Sequence, residues 1–323
     1  MPSPQTLFNT KKLYVVALSV VLFGFVSACA VDYVTGKRTF NLISEQDEVK
    51  IGRKADPSIV AQYGIYDDQD LSAYVNEIGQ KIAAISHRPN LEYTFRVVDS
   101  PIVNAFALPG GWVYFTRGIL AHFNSEAELA GVMGHEIGHV VARHGAEQMS
   151  KAQLAGIGLV GMSVISPDLA QFSDLAQVGV GLLFLKFGRG QESESDRLGV
   201  EYSTKLGYDA KRMAEFFETI ARLSSASGSS LPDFLSTHPN PVDREKTVEN
   251  LAEEWQNKID YKPLNKSPRD YLKRIDGMVY GNDPRQGFVE NNIFYHPQMR
   301  FQFPVPQNWK VANLPTVVQM ASA

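Results

Sequence analysis

A chain of 323 residues, 44% of them hydrophobic, is long enough to bury one large core or two smaller ones. Its 31 Lys and Arg against 35 Asp and Glu leave a formal net charge of −4 and a pI near 6.0, with both signs mixed along the chain. No basic stripe or arginine-rich arm runs through it, which excludes nucleic acid as a partner on electrostatic grounds.

Lys11 and Lys12 precede an apolar run from Leu13 to Val26 that is short for a membrane span. Basic, apolar and small-residue regions in that order predict a secretory signal over residues 1–28. An uncleaved membrane anchor is the alternative. Cys29 is the only cysteine, so no internal disulfide forms. Elsewhere a lone cysteine would be read as a small buried hydrophobe. Here Val26-Ser27-Ala28-Cys29 resembles a bacterial lipobox, in which the cysteine is lipidated and becomes the first mature residue. Ala30 in place of Asp implies, within that pattern, passage to the outer membrane. The expectation is an envelope lipoprotein facing the periplasm, tethered through residues 29–43, with Val31 to Leu42 extended.

Ser44 with Asp47 has the form of a capping box and opens a helix toward Tyr63. Leu71, Tyr74, Val75, Ile78 and Ile82 recur at helical spacing and predict a second helix from Asp70 to Ile85. Leu91, Tyr93, Phe95 and Val97 alternate as in a half-buried strand. Two further strands, Val103 to Leu108 and Trp112 to Thr116, flank Pro109-Gly110-Gly111 and predict a hairpin. Ser125 with Glu128 then caps a long helix.

That helix carries His135-Glu136-Ile137-Gly138-His139. At about 100° per residue, positions four apart lie about 40° apart on one face. Both imidazoles reach one metal ion, and Glu136 projects beside them. Zinc suits imidazole nitrogen, and an open coordination position activates water. A neighbouring carboxylate then acts as general base and passes the proton to the leaving amine. Two chance histidines on a surface helix are the competing reading.

Gly-rich apolar stretches follow, Leu154 to Ile165 and Val178 to Phe187. They suit core helices or a hydrophobic wall near the site, or else contact with a membrane or an unfolded client. Gly156-Ile157-Gly158-Leu159-Val160-Gly161 matches the dinucleotide fingerprint, but that motif needs a strand before it, and Glu147 to Ala155 continue a helix. No nucleotide cofactor is expected.

Two histidines leave a zinc site short of a ligand. One common pattern places a third histidine six residues past His139, but that position is Gly145. His144, about 140° around a continuous helix from His139, is assigned to capping, packing or pairing with a carboxylate. Glu192 and Asp196 share a face of a helix expected to end near Gly207. Glu192 can bind the metal while Asp196 holds a ligand imidazole. The other reading is an acidic first turn that complements the helix dipole. His238 lies in a loop before a helix that Asn240 would cap and Pro241 begin. It can reach a metal or stand solvated. Arg244 is a candidate to stabilise an oxyanion, or else an exposed helix arginine.

From Tyr261 the character changes. Lys262 to Pro268 reads as a linker, Arg269 to Ile275 as a short helix, and Phe288-Val289, Ile293 to Tyr295, Met299 to Phe303 and Val317 to Met320 as short strands. His296 has no ligand spacing and is read as structural. Residues 259–323 are expected to be a linker and a small β-rich segment, with a truncated domain as the alternative.

Asn104-Ala105-Phe106-Ala107-Leu108-Pro109-Gly110-Gly111, His135 to His139, Glu192 with Asp196, and His238-Pro239 with Arg244 occur in this order. The chain thereby resembles the zinc endopeptidase family of the CAAX prenyl proteases and the heat-shock protease HtpX. Its periplasmic outer-membrane members are the nearest in pattern, with the resemblance running from Ser44 to Trp255. The resemblance implies one Zn2+ held by His135, His139 and Glu192, with Glu136 as base. It implies that His238 can occupy the open position and hold the enzyme latent. Unfolded or misassembled envelope proteins are the implied substrates. The hairpin edge, with Asn104, Ala105 and Phe106, would pair with an extended peptide. The expected fold is α+β, zincin-like (gluzincin) and mostly helical, with a small antiparallel sheet, over residues 44–258. A chaperone-like assembly factor with a latent zinc site is the alternative function. A multi-span region to hold a prenylated substrate is absent from the pattern.

Overall fold

Capping and burial set out the first half of the chain. The computed structural model describes residues 29–162, 186–226, 233–238, 243–314 and 317–322. The expected signal segment, most of the second apolar stretch and the Asn240–Pro241 cap lie outside these. Helix α1 (Glu45–Tyr63) starts where Ser44 Oγ accepts the Asp47 N–H at 3.2 Å. Helix α2 (Gln69–Ile85) starts at Asp68, whose carboxylate accepts the Leu71 N–H at 2.9 Å. The apolar face of α2, with Leu71, Val75, Ile78 and Ile82, is buried as its spacing requires.

Residues 29–43 differ from an extended tether. Strands β1 (Cys29–Val31) and β2 (Arg38–Phe40) pair antiparallel around a turn. Asp32 holds that turn by accepting the Val34 and Thr35 N–H groups at 2.6 and 2.9 Å. Asn41 and Ile43 are buried, and the Leu42 N–H donates to Ser150 Oγ at 2.9 Å. Three-residue strands are too short to leave a periodic signal in the sequence.

Strands β3 (Thr94–Val98), β4 (Ala105–Leu108) and β5 (Trp112–Thr116) form one sheet in the order β3-β5-β4. The expected hairpin forms, with Leu108 opposite Trp112 in antiparallel register. Its turn depends on Gly110 and Gly111 at φ 84° and 104°, a region that a side chain disfavours. β3 joins β5 in parallel, so the sheet is mixed rather than wholly antiparallel. β4 is an edge. The Asn104 carbonyl accepts the Thr116 N–H at 3.1 Å, and the alternation of an antiparallel ladder turns the Ala105 and Ala107 amides away from β5, with Ala105 buried and Ala107 partly exposed.

After the short helix α3 (Arg117–Leu120), helix α4 (Glu126–Val141) runs through the core and carries the His-Glu-x-x-His motif. Every described side chain of α4 except that of Ala127 is buried. Ser125 Oγ accepts the Glu128 N–H at 3.3 Å, as its capping box predicts. Three glycines inside a helix would weaken it in isolation. Here they permit contact. A Cβ on Gly138 would stand 3.1 Å from Ser195 Cα, and one on Gly199 would stand 2.8 Å from the Gly131 carbonyl. Helix α6 (Arg189–Lys205) therefore lies against α4 at near-backbone distance.

The motif helix stops earlier than expected. It ends at Val141, Arg143 adopts φ 60°, and helix α5 (His144–Met162) begins afresh. α5 includes the Gly156–Gly161 match, so that segment is helical and lacks the strand a dinucleotide site requires. Helices α7 (Arg212–Ala226), α8 (Asp233–Thr237) and α9 (Arg244–Lys258) complete this layer.

The segment from 259 onward docks on this core. Helix α10 (Pro268–Ile275) places Tyr271 fully inside, its hydroxyl donating to the Leu120 carbonyl at 2.6 Å. Arg117 Nη1 donates to the Val279 and Gly281 carbonyls, each at 2.7 Å. Strands β6 (Phe288–Glu290), β7 (Ile293–His296) and β8 (Phe301–Pro304) form an antiparallel sheet. A separate hairpin pairs β9 (Trp309–Leu314), not anticipated from the sequence, with β10 (Val317–Ser322). Among the described residues, the His296 ring meets the Phe294 and Phe301 rings and the Met299 N–H of the β7–β8 connection. No helix among the described residues is long and apolar enough to cross a membrane.

Candidate metal and catalytic centre

Helices α4 and α6 and the residue after α8 bring four side chains to one point. His135, His139, Glu192 and His238 are all buried, and each offers one ligand atom within 4.8 Å of the others. His135 Nε2 lies 3.0 Å from His139 Nε2 and 3.3 Å from His238 Nδ1. Glu192 Oε1 lies 3.1 Å from His238 Nδ1 and 3.4 Å from His139 Nε2.

The donor set fits a divalent metal. Four ligands at roughly 2.1 Å from a tetrahedral ion stand about 3.4 Å apart, close to these separations. His135 Nδ1 lies 2.8 Å from Asp196 Oδ1 and donates to it, so its Nε2 faces the cluster as a lone pair. Two imidazole nitrogens at 3.0 Å, with a carboxylate beside them, suit a shared cation. Glu192 Oε2 has no hydrogen-bond partner among the described residues. Burial pushes the His139 pKa well below the usual histidine value, which keeps its nitrogen available as a ligand. Burial alone would raise the Glu192 carboxyl, but the His238, His139 and His135 rings outweigh it and hold it well below the carboxylate range.

Glu136 is fully buried, and neither carboxylate oxygen has a hydrogen-bond partner among the described residues. Its Oε1 stands 3.5 Å from His238 Nε2. Burial raises its pKa, partly offset by His238 and His135. A carboxylate tuned upward beside a metal-ligand cluster is suited to accept a proton near neutral pH.

Asp196 and Arg244 form the support behind these groups. Arg244 Nε and Nη2 donate to Asp196 at 2.8 and 2.7 Å, and Nη2 approaches Glu192 Oε2 at 3.3 Å. The guanidinium also covers the Phe217 ring at 4.0 Å. Arg244 is thus not an exposed helix arginine: two of its three nitrogens are committed to Asp196, and Nη1 has no partner among the described residues.

His144 takes the carboxylate-pairing place, with Nε2 at 3.3 Å from Glu194, but its angular relation to His139 is not that of one continuous helix. The break at Arg143 turns its Nδ1 to 3.0 Å from His139 Nδ1. Helix α9 is described from Arg244, where Asp243 at φ 58° precedes it. Of the expected peptide-binding residues, Asn104 is buried, with Oδ1 unpartnered among the described residues. Ala105 faces the main core. The Phe106 ring stacks on Tyr114 at 4.9 Å, so from Ala105 and Phe106 only the main chain is left to meet a peptide.

Several contributors left no motif in the sequence. The Phe187 ring stacks on His139 at 4.0 Å, and its N–H reaches the Thr237 carbonyl at 3.5 Å. Glu48 pairs with Arg88 at 3.0 Å and Arg143 at 2.5 Å, and Arg143 Nη2 donates to the Ile43 carbonyl at 2.6 Å. This fixes the corner between α4 and α5. Buried arginines facing a buried glutamate 40 or more positions away are pairings that spacing cannot encode.

The sequence profile of peptidase family M48 matches residues 69–252. The mitochondrial metalloendopeptidase OMA1 of Arabidopsis thaliana is 37% identical over 185 residues, 57% of this chain and 36% of that protein. The β-barrel assembly-enhancing protease of Yersinia pestis is 34% identical over 234 residues, 68% of this chain and 46% of its own length. OMA1 of Schizosaccharomyces pombe is 30% identical over 226 residues, 69% of this chain and 66% of its own. The chain thus spans less than two thirds of each of these relatives.

Proposed function

This chain belongs to peptidase family M48, and from that premise we propose that it is a zinc-dependent endopeptidase of the bacterial envelope. The observation that carries the proposal is the buried group of His135, His139, Glu192 and His238 with Glu136 beside it. His135, His139 and Glu192 would hold the ion. Zinc bound there would polarise a substrate carbonyl and make water acidic enough to deprotonate near neutral pH. Glu136 takes the proton of the attacking water and returns it to the leaving nitrogen. The partly exposed Ala107 amide on the outer edge of β4 pairs with an extended substrate, giving affinity with weak sequence preference. Asp196 fixes the His135 ring, and Arg244 fixes Asp196, so Arg244 acts as a positioning residue. His238 Nε2 is the better-placed donor to an oxyanion.

His238 Nδ1 also stands at ligand distance from the cluster, which supports a resting state latched by this histidine. The same feature favours a second reading, an assembly factor that binds unfolded envelope proteins while its site stays latent. Residues 44–258 form the catalytic unit in this proposal, and Cys29 carries the lipid that holds it at the outer membrane, facing the periplasm.

Cleavage of casein by zinc-loaded protein from Ala30 onward tests these readings. Activity lost in Glu136→Gln supports the peptidase. Activity gained in His238→Ala supports the latch, and activity lost there assigns His238 to the oxyanion. Wild-type protein that binds zinc and casein but cuts nothing would instead favour the binding factor.

A further inference from the structure

Outside the ligand cluster, a cleft of about 770 Å3 opens between the catalytic unit and the β-rich segment that follows it. This lies within the ~300–1,000 Å3 range of ligand sites. Asn104 and Ser236 form its near end, one position before the start of β4 and two before His238. Phe288 and Val289 form the far wall, with Ile102 opposite. These three apolar side chains are 37%, 45% and 38% exposed.

The floor is polar and incompletely paired. Asn104 is 8% exposed and Arg117 1%, yet among the described residues Asn104 Oδ1 and Arg117 Nη2 each lack a hydrogen-bond partner. Buried polar groups are nearly always paired, so the two atoms mark a place where a ligand completes the network. One is an acceptor and the other a donor, the complement of a peptide N–H and C=O. Arg117 is already neutralised by Asp99, its Nε donating at 2.6 Å, so the floor has little call for an anion.

We infer that this cleft receives the extended polypeptide on one side of the bond to be cut. The inference rests on the peptidase reading of the metal centre. A chain laid along the edge of β4 leaves that edge at Asn104 and enters the cleft. An apolar side chain then meets Ile102, Phe288 and Val289, and one main-chain amide meets Asn104 and Arg117. The β-rich segment is thereby a wall of the substrate site, and apolar character at that substrate position sets the preference.

The test uses three quenched-fluorescent peptides sharing one cleavable core, with the full chain loaded with zinc. One spans only the core, and the others extend it by about six residues, roughly 20 Å, toward either the N- or the C-terminus. Ile102→Asp and Val289→Asp, on opposite walls, should each raise KM about tenfold for one of the two extended peptides. The other extension and the core peptide should be unaffected, and kcat should not change. Equal losses on all three peptides, or no loss on any, would overturn the inference. Anisotropy of the extended peptides on metal-free protein separates the two levels. Wild-type binding that both variants weaken, without cleavage of any peptide after loading, keeps the cleft and refutes the peptidase. Binding unchanged by both variants refutes the cleft.

Discussion

Replacing Asp196 with Asn tests whether this carboxylate orients the metal site. In the wild type, Oδ1 accepts from both His135 Nδ1 and Arg244 Nη2, and Oδ2 accepts from Arg244 Nε. An amide has one oxygen. Placed at Oδ1 it keeps His135 and Nη2 but points its own N–H2 at Arg244 Nε–H. Placed at Oδ2 it loses two bonds instead of one, so the first orientation is preferred. Arg244 then loses a charged partner while it stays buried, and one donor faces another. A hydrogen bond to a charged group is worth about 1.5–3 kcal/mol, and a neutral one about half as much. One bond lost and two weakened come to about 3–6 kcal/mol. For a unit of this size, that is a fall of about 6–24 °C in the Tm of metal-free protein. Because His135 keeps an acceptor, zinc affinity should fall by about tenfold, the low end of such effects, whereas Asp196→Ala should approach a hundredfold. Competition with a chromophoric chelator reads the affinity, and circular dichroism reads the melt. Zinc affinity unchanged within about twofold in both variants would refute the orienting role.

Glu136→Gln should cut turnover by about 10²–10⁴-fold while leaving zinc affinity within a few-fold, measured by the same competition assay. A parallel loss of zinc would make Glu136 a ligand instead of a base. Gly199→Ala inserts a methyl 2.8 Å from the Gly131 carbonyl and 3.0 Å from the His135 amide. It should cost about 1–3 kcal/mol in a thermal melt and weaken zinc binding, because it pushes α6 and its two carboxylates away from α4. Glu128, buried near Asn124 and Glu215, has its pKa pushed up to about 7 chiefly by burial. A folded value above the unfolded one means stability is full below about pH 4.5 and falls as pH rises through 7. Glu128→Gln should therefore flatten the stability-pH profile over that window, with a gain of up to about 3 kcal/mol above pH 7. A wild-type profile that rises across the same window in chemical denaturation would contradict this.

The sequence by itself determined whatever is local and periodic. Four-residue spacing fixes His135 and His139 on one face, and the same spacing fixes Glu192 and Asp196, because a helix repeats every 3.6 residues whatever packs on it. Ser44, Ser125 and the Pro109-Gly110-Gly111 turn mark element ends by chemistry within three or four residues. The helix break at Arg143 was hidden, since a basic residue carries no signal for φ 60° and Glu48, 95 positions earlier, holds it there. Arg244 was legible as a motif residue but not as the partner of Asp196, and the short strands of residues 29–40 were too brief to show a period. Only the tertiary structure decided that the two half-sites form one centre. Gly131, Gly138 and Gly199 let α4 and α6 meet at backbone distance, and that approach, not any spacing, brings Asp196 to 2.8 Å from His135. Spacing along a chain constrains angles within one element, whereas distances between elements follow from which side chains are small enough to let them touch.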